Sequence, residues 1–179
     1  MRPMATGERE PSAAAIRTAR LDLVLLHRDW MQAYVDQRPL PDLGCTDLDR
    51  VLAGSEHVVH LRLEQLAHDP THEPWLLRVM VLRSGAAVGY VNFHAPPDER
   101  GMVEIGYRVL PDQRWQGYAS EAAEGMWRWA GQHGARVLRA SISPTNEPSL
   151  AMIRRASFVQ VGEQIDDEDG LELVFEREV

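Results

Sequence analysis

The sequence predicts an α+β fold: a single domain with one mixed, mostly antiparallel β-sheet flanked by helices. Three β-rich runs, residues 75–82, 87–94 and 102–110, follow one another with short links and read as an antiparallel meander. Beyond them a long helical segment and a short one bracket a further strand, and helical crossovers of that length make part of a sheet parallel. The 179 residues hold no internal repeat and no domain-splitting linker, and they suffice for one buried core.

Residues 18–26 (TARLDLVLL) read as the first strand. Asp29 can cap a short helix from Trp30 to about Asp36, and Thr46 and Ser55 can cap two more helical pieces. The second piece, 56–68, sets Val59, Leu63 and Leu66 at helical spacing and ends at Asp69-Pro70. Arg83-Ser84-Gly85-Ala86 joins the first two meander strands as a hairpin, and Pro111-Asp112 ends the third. From about Gln116 to His133, Ala119, Ala122, Ala123, Met126, Trp127 and Ala130 form one apolar stripe, and Gly134 suits the stop. Trp129 lies off that stripe, while Trp30 and Trp75 read as core. A strand at 136–142, a helix at about 147–156 and two strands, 158–165 and 171–177, complete the chain, with Asp169-Gly170 as the last turn.

Composition removes whole classes of chemistry. All 19 basic residues are Arg, so no lysine Schiff base and no lysine-tipped phosphate loop can form. Cys45 is the single cysteine, which excludes an intrachain disulfide and suits a reducing, cytoplasmic setting. Residues 1–12 lack an apolar h-region and read as a flexible tail before a domain spanning 13–179. No apolar stretch approaches the roughly 20 residues of a membrane span. His57, His60, His68 and His72 cluster without metal-site spacing, so no metal is expected. The formal charge is −8, but residues 100–155 carry +3 and residues 156–179 carry −7. That balance argues against nucleic-acid binding and allows a smaller phosphate-bearing ligand at the basic middle. The run Asp166-Asp167-Glu168-Asp169 reads as a solvated turn.

The most informative segment is RWQGYASEA, Arg114–Ala122, between a strand and the start of the amphipathic helix. A helix start offers unpaired N–H groups and the positive end of the dipole, which suit phosphate oxygens. Gly117 lets the backbone approach a ligand, Ala119 is small, and Arg114 can add a charge-assisted contact.

This R-x-x-G-x-A match follows EIGYRVLP directly, and NEPSLAMIRRASF comes about 30 residues later. Together EIGYRVLPDQRWQGYASEA and SPTNEPSLAMIRRASF resemble the GNAT superfamily of acetyl-CoA-dependent N-acetyltransferases, and more narrowly its Rim-type ribosomal-protein branch. The resemblance implies a GNAT-like sheet with splayed central strands. It implies that the amides of Arg114, Trp115, Gln116, Gly117, Tyr118 and Ala119, with Ser120 next, hold the CoA pyrophosphate. By the same likeness the backbone at Arg108, Val109 and Leu110 pairs with pantetheine, Asn146 bonds the pantetheine arm, and Arg154 and Arg155 meet the CoA phosphates. Ser149 stands where some relatives place a polar group near the thioester sulfur. Trp115 and Ser157 replace glycines common in relatives. Ile153 stands where many carry a tyrosine acid, so an acid role passes to Ser149 or to water. Dimers are common in such families.

A thioester is already activated, so the protein has only to align an amine, deprotonate it and stabilise an oxyanion. Deprotonating an α-amine of pKa about 8 costs roughly 1 kcal/mol at pH 7, against roughly 4–5 kcal/mol for a lysine-like amine. Glu104 is the first candidate base and His94, at the end of the neighbouring strand, the second. The acceptor is a protein N-terminus or a small amine. A non-catalytic acyl-CoA-binding sensor is the competing reading.

Overall fold

The computed structural model describes residues 15–167 and 170–179. The tail at 1–12, together with Glu168 and Asp169 of the acidic turn, lies outside the described residues. The elements are β1 (Ile16–Arg17), β2 (Leu21–Leu25), α1 (Arg28–Val35), α2 (Leu48–Leu52), α3 (Glu56–His68), β3 (Arg78–Leu82), β4 (Ala87–Phe93) and β5 (Met102–Val109), followed by α4 (Tyr118–Gln132), β6 (Val137–Ile142), α5 (Glu147–Arg155), β7 (Val159–Asp166) and β8 (Gly170–Glu178). Among the described residues no helix is long and apolar enough to cross a membrane.

Among the described residues eight strands form one sheet in the order β1-β2-β3-β4-β5-β6-β8-β7. Every neighbouring pair is antiparallel except β5 and β6, which the α4 crossover makes parallel. The alternation of each strand sends apolar side chains to both faces, so the sheet is covered twice. On one face Ala122, Ala123, Met126, Trp127 and Ala130 of α4 pack on Val91, Phe93, Val103 and Ile105. On the other, Trp30, Met31, Val59 and Leu66 from α1 and α3 pack on Val79, Val81 and Tyr90.

Local chemistry departs from the sequence reading in a few places. The first strand is two short ones, broken at the turn where Thr18 N–H donates to Leu21 O at 2.9 Å and Leu21 N–H to Thr18 Oγ1 at 3.1 Å. His27, not Asp29, stands at the start of α1, and Asp29 lies in its first turn, where a carboxylate suits the dipole. Thr46 forms a bridge with Ala86 instead of capping a helix. The start of the 75–82 run belongs to a 3-10 turn, Pro70–Trp75, opened by Asp69 accepting from Thr71 N–H at 2.9 Å. Trp129, off the α4 stripe, meets another element as its position allows: Trp75 lies edge-on at 4.8 Å, and His133 stacks on it.

Candidate active site

The central feature is a gap in the sheet. β5 pairs with β4 along its outer half, from Gly89↔Val109 to Phe93↔Ile105. With β6 it pairs at only three positions, Met102↔Val137, Val103↔Leu138 and Glu104↔Arg139. Beyond Glu104 the two parallel strands diverge. Leu110 N–H donates to Val88 O and His94 N–H to Glu104 O, which fixes the even-numbered residues of β5 as the ones bonded to β4. Alternation then directs the backbone groups of Ile105, Tyr107 and Val109 into the gap. Arg114 Nε donates to Val109 O at 3.3 Å, tying the following loop to this edge.

That loop leads into α4. Trp115 (φ 64°) and Gly117 (φ 80°) both adopt left-handed backbone, which turns the chain so that α4 starts at Tyr118. Glu121 N–H bonds Gly117 O at 3.1 Å as the first helical bond, so the amides of Gly117, Tyr118, Ala119 and Ser120 have no intrahelical acceptor. Arg20 braces the turn: its Nη1 donates to Gln116 O at 2.9 Å and its guanidinium lies 4.8 Å from the Tyr118 ring centroid. Glu121 holds Arg20 through a 2.6 Å ion pair and also accepts from Thr18 Oγ1 at 2.6 Å. Burial pushes the Glu121 carboxyl up, but the hydrogen bonds from Thr18 and Arg20 outweigh it and leave the carboxyl below the usual range. Arg20 carried no signal in sequence, because only the fold brings the β1–β2 turn to α4.

The two faces of β5 carry different chemistry. On the α1–α3 face stand Glu104, Gly106 and Arg108 beside Asn92 and His94 of the neighbouring strand. Ser141 Oγ donates to Glu104 Oε1 at 2.5 Å. The His94 ring lies against Gly106, where an added Cβ would stand 2.8 Å from His94 Nε2 and 3.0 Å from Asn92 Nδ2. Asn92 Nδ2 donates to Gly106 O at 2.9 Å. The Arg62 side chain is buried, donating to Asn92 Oδ1 from Nε at 3.0 Å and Nη2 at 2.7 Å, and to His94 O. Burial holds the Arg62 pKa down at about 10. Desolvation by surrounding protein depresses the His94 pKa; Arg62 pushes the same way, while Glu104 and Asp166 oppose it. His94 is therefore neutral and able to accept a proton at neutral pH. Arg108 turns from the gap to donate to Ala53 O at 2.7 Å and Ser55 Oγ at 2.5 Å.

On the α4–α5 face Tyr107 OH donates to Ser149 Oγ at 2.8 Å. Burial raises the Tyr107 pKa and the Ser149 contact partly offsets that. Asn146 caps α5, its side chain accepting from Ser149 N–H at 3.3 Å. Ile153 is fully buried in the core and cannot reach a ligand. Leu110 is buried as well, among the α1–α3 contacts. Arg154 and Arg155 face solvent on the last turn of α5, a favourable end for cations. Ser157 follows that helix at φ 62°, the conformation glycine adopts most easily.

Of the residues singled out in sequence, the fold brings Glu104 to His94, Arg114 to Val109, and Asn146 to Ser149. Sequence reasoning missed Tyr107, Arg62 and Asn92. Tyr107 carried a signal, since strand alternation sets it opposite Glu104 in EIGYRV.

Residues 20–159 match the family model described as Acetyltransferase (GNAT) domain. The uncharacterized N-acetyltransferase YjdG of Bacillus subtilis is 44% identical over 43 residues, which are 24% of this chain and 26% of that protein, so the match spans about a quarter of the relative. RimL, the ribosomal L7/L12 alpha-N-protein acetyltransferase, solved in complex with coenzyme A, superposes with a TM-score of 0.64 at 16% identity, covering 92% of this chain and 98% of that one. The microcin C7 self-immunity acetyltransferase MccE, solved with acetyl-CoA and AMP, has a TM-score of 0.62 at 12% identity over 92% of this chain and 94% of its own.

Proposed function

The chain belongs to the acetyltransferase (GNAT) domain family, and from that premise we propose that it transfers the acetyl group of acetyl-CoA to a primary amine by direct attack. The observation that carries this reading is the gap beside β5, which has acid–base groups on both faces and the α4 amides at its end. CoA fits these residues: Gly117, Tyr118, Ala119 and Ser120 offer N–H groups to the pyrophosphate, with Arg114 adding charge. Relatives solved with CoA or acetyl-CoA support the same donor. Arg154 and Arg155 offer further cations to the phosphates.

In this reading the backbone N–H of Val109 receives the thioester oxygen as it gains charge; one such donor is worth about 100- to 1,000-fold in rate. The amine approaches from the Glu104 face. Glu104, fixed by Ser141, takes the amine proton directly or through water, with neutral His94 as the second acceptor. Ser149 faces the sulfur from the other side. The lone Cys45 suits a reducing cytoplasm.

Acetyl-CoA incubated with a panel of small amines and N-terminal peptides, with released thiol detected, tests the proposal. Glu104→Gln is expected to lower kcat by about 100-fold or more, the range of a general base. Tight CoA binding without thiol release from any amine overturns catalysis and favours a sensor.

A further inference from the structure

The reaction also leaves a thiolate, which must take up a proton. We propose that Tyr107 positions the Ser149 hydroxyl as proton donor to the departing CoA sulfur and backs it with its own proton. The inference rests on the acetyltransfer reading above and extends it to the leaving-group side.

Four observations carry it. Tyr107 lies on the half of β5 that has left β6, and its backbone points into the gap. Its hydroxyl reaches across to the first turn of α5 and donates to Ser149 Oγ at 2.8 Å, a contact between residues 42 positions apart. A serine hydroxyl has one hydrogen and two lone pairs, so a serine that accepts from Tyr107 keeps its own hydrogen for a third group. Ser149 N–H is engaged by Asn146, which fixes the Ser149 Cα where the helix begins. A helix start also favours the negative charge that develops on sulfur. Burial keeps Tyr107 protonated at neutral pH, so the pair holds two transferable protons.

The step balances. The amine nitrogen bonds to the acetyl carbon and the C–S bond breaks with its electron pair going to sulfur. Sulfur takes the Ser149 hydroxyl proton, Ser149 takes the Tyr107 proton, and the tyrosinate recovers a proton from water. The amine proton leaves on the opposite face of β5 by way of Glu104 or His94. Proton removal and proton delivery thus stay on separate sides of the strand.

Tyr107→Phe, Ser149→Ala, Ser149→Thr and the Tyr107→Phe/Ser149→Ala double variant test this with an amine on which the wild type is active. Ser149→Ala is expected to lower kcat by about 100-fold, the size of a general acid. Tyr107→Phe should lower it by about 10-fold or more, with KM for acetyl-CoA within about twofold of wild type in each case. Ser149→Thr should recover most of the rate. The double variant should be no slower than Ser149→Ala, because both hydroxyls serve one proton path. Purely structural losses would multiply and would raise KM. Tyr107→Phe and Ser149→Ala both retaining more than half of kcat overturns the inference and leaves the acetyltransfer reading standing. If Tyr107→Phe fails to fold, Ser149→Ala and Ser149→Thr still decide whether that hydroxyl donates. A wild type that binds CoA and acetylates nothing removes both readings together.

Discussion

Gly106→Ala puts the acceptor face of β5 to a direct test. The added Cβ would stand 2.8 Å from His94 Nε2 and 3.0 Å from Asn92 Nδ2, where ordinary contact begins at 3.4 Å. His94 must then withdraw by roughly 0.6 Å and Asn92 by roughly 0.4 Å to restore van der Waals separation. Asn92 is the less able to move, because Arg62 grips its Oδ1 twice and a loosened buried guanidinium is costly. The displacement therefore falls on His94 and on the space beside Glu104. Misplacing a reacting group by about 1 Å costs up to about 100-fold, so kcat should fall between about 10- and 100-fold. Overpacking of this kind costs about 1–3 kcal/mol, and at this chain length each kcal/mol is worth about 2–4 °C in Tm. CoA affinity by calorimetry should stay within about twofold, since the α4 amides are untouched. The assay is steady-state thiol release on folded variant, with Tm measured alongside. Wild-type kcat in a variant whose Tm has dropped would refute the assignment of this face to amine deprotonation. So would a loss of CoA affinity that tracks the loss of rate.

Gly89→Ala should cost both stability and rate, because its Cβ would collide with backbone, Arg108 O and Val109 Cα, and push on the oxyanion N–H; Tm and kcat read this together. Arg62→Gln should raise the His94 pKa by removing a cation, moving the acid limb of kcat/KM to higher pH, and an NMR titration of the imidazole checks it. His94 has a depressed pKa, so between that value and about 6.5 the unfolded chain holds a proton the folded chain does not. Stability contributed by keeping His94 neutral is therefore lost as pH falls through that window, and urea midpoints of His94→Gln should fall less steeply there than those of wild type. Ser157→Gly should raise Tm by about 1–4 °C, since a left-handed residue other than glycine costs about 1–2 kcal/mol and glycine's greater chain entropy offsets part of the gain.

Much of the fold is legible because its signals are local. The apolar stripe of α4, the Pro111 stop and the hairpin at Gly85 each act within a few residues, and the strands they bound fall within two residues of expectation over most of the sheet. The base candidates were legible for the same reason, since Glu104 and His94 lie on adjacent strands of one meander. The rest depended on docking. Arg62 shares the face of α3 that carries Val59 and Leu66, but no local pattern names a partner for a guanidinium there. Asn92 and His94 O, at the end of β4, meet it from another element, and Gln65 of α3 itself completes its contacts. The Tyr107–Ser149 contact depends on the angle at which α5 meets the diverged half of β5, which no short-range pattern encodes. Trp115 and Ser157, which the resemblance sets where relatives carry glycine, both hold left-handed backbone, a strain that residue identity alone does not reveal.

The alternation of β5 has a consequence for how such a site can change over time. On the proposed assignment, substitutions at 104 and 106 bear on the amine and those at 105, 107 and 109 on the thioester, so the two selectivities can be altered separately. Insertions are another matter. A single residue added to β5 would exchange its faces, sending the carboxylate toward CoA and the phenol toward the acceptor. The bonds from His94 N–H to Glu104 O and from Asn92 to Gly106 O hold the strand against that slip. The length of the Met102–Val109 strand is thus as much a part of the chemistry as the identity of any residue on it, and lineages of this fold should tolerate substitution there far more readily than insertion.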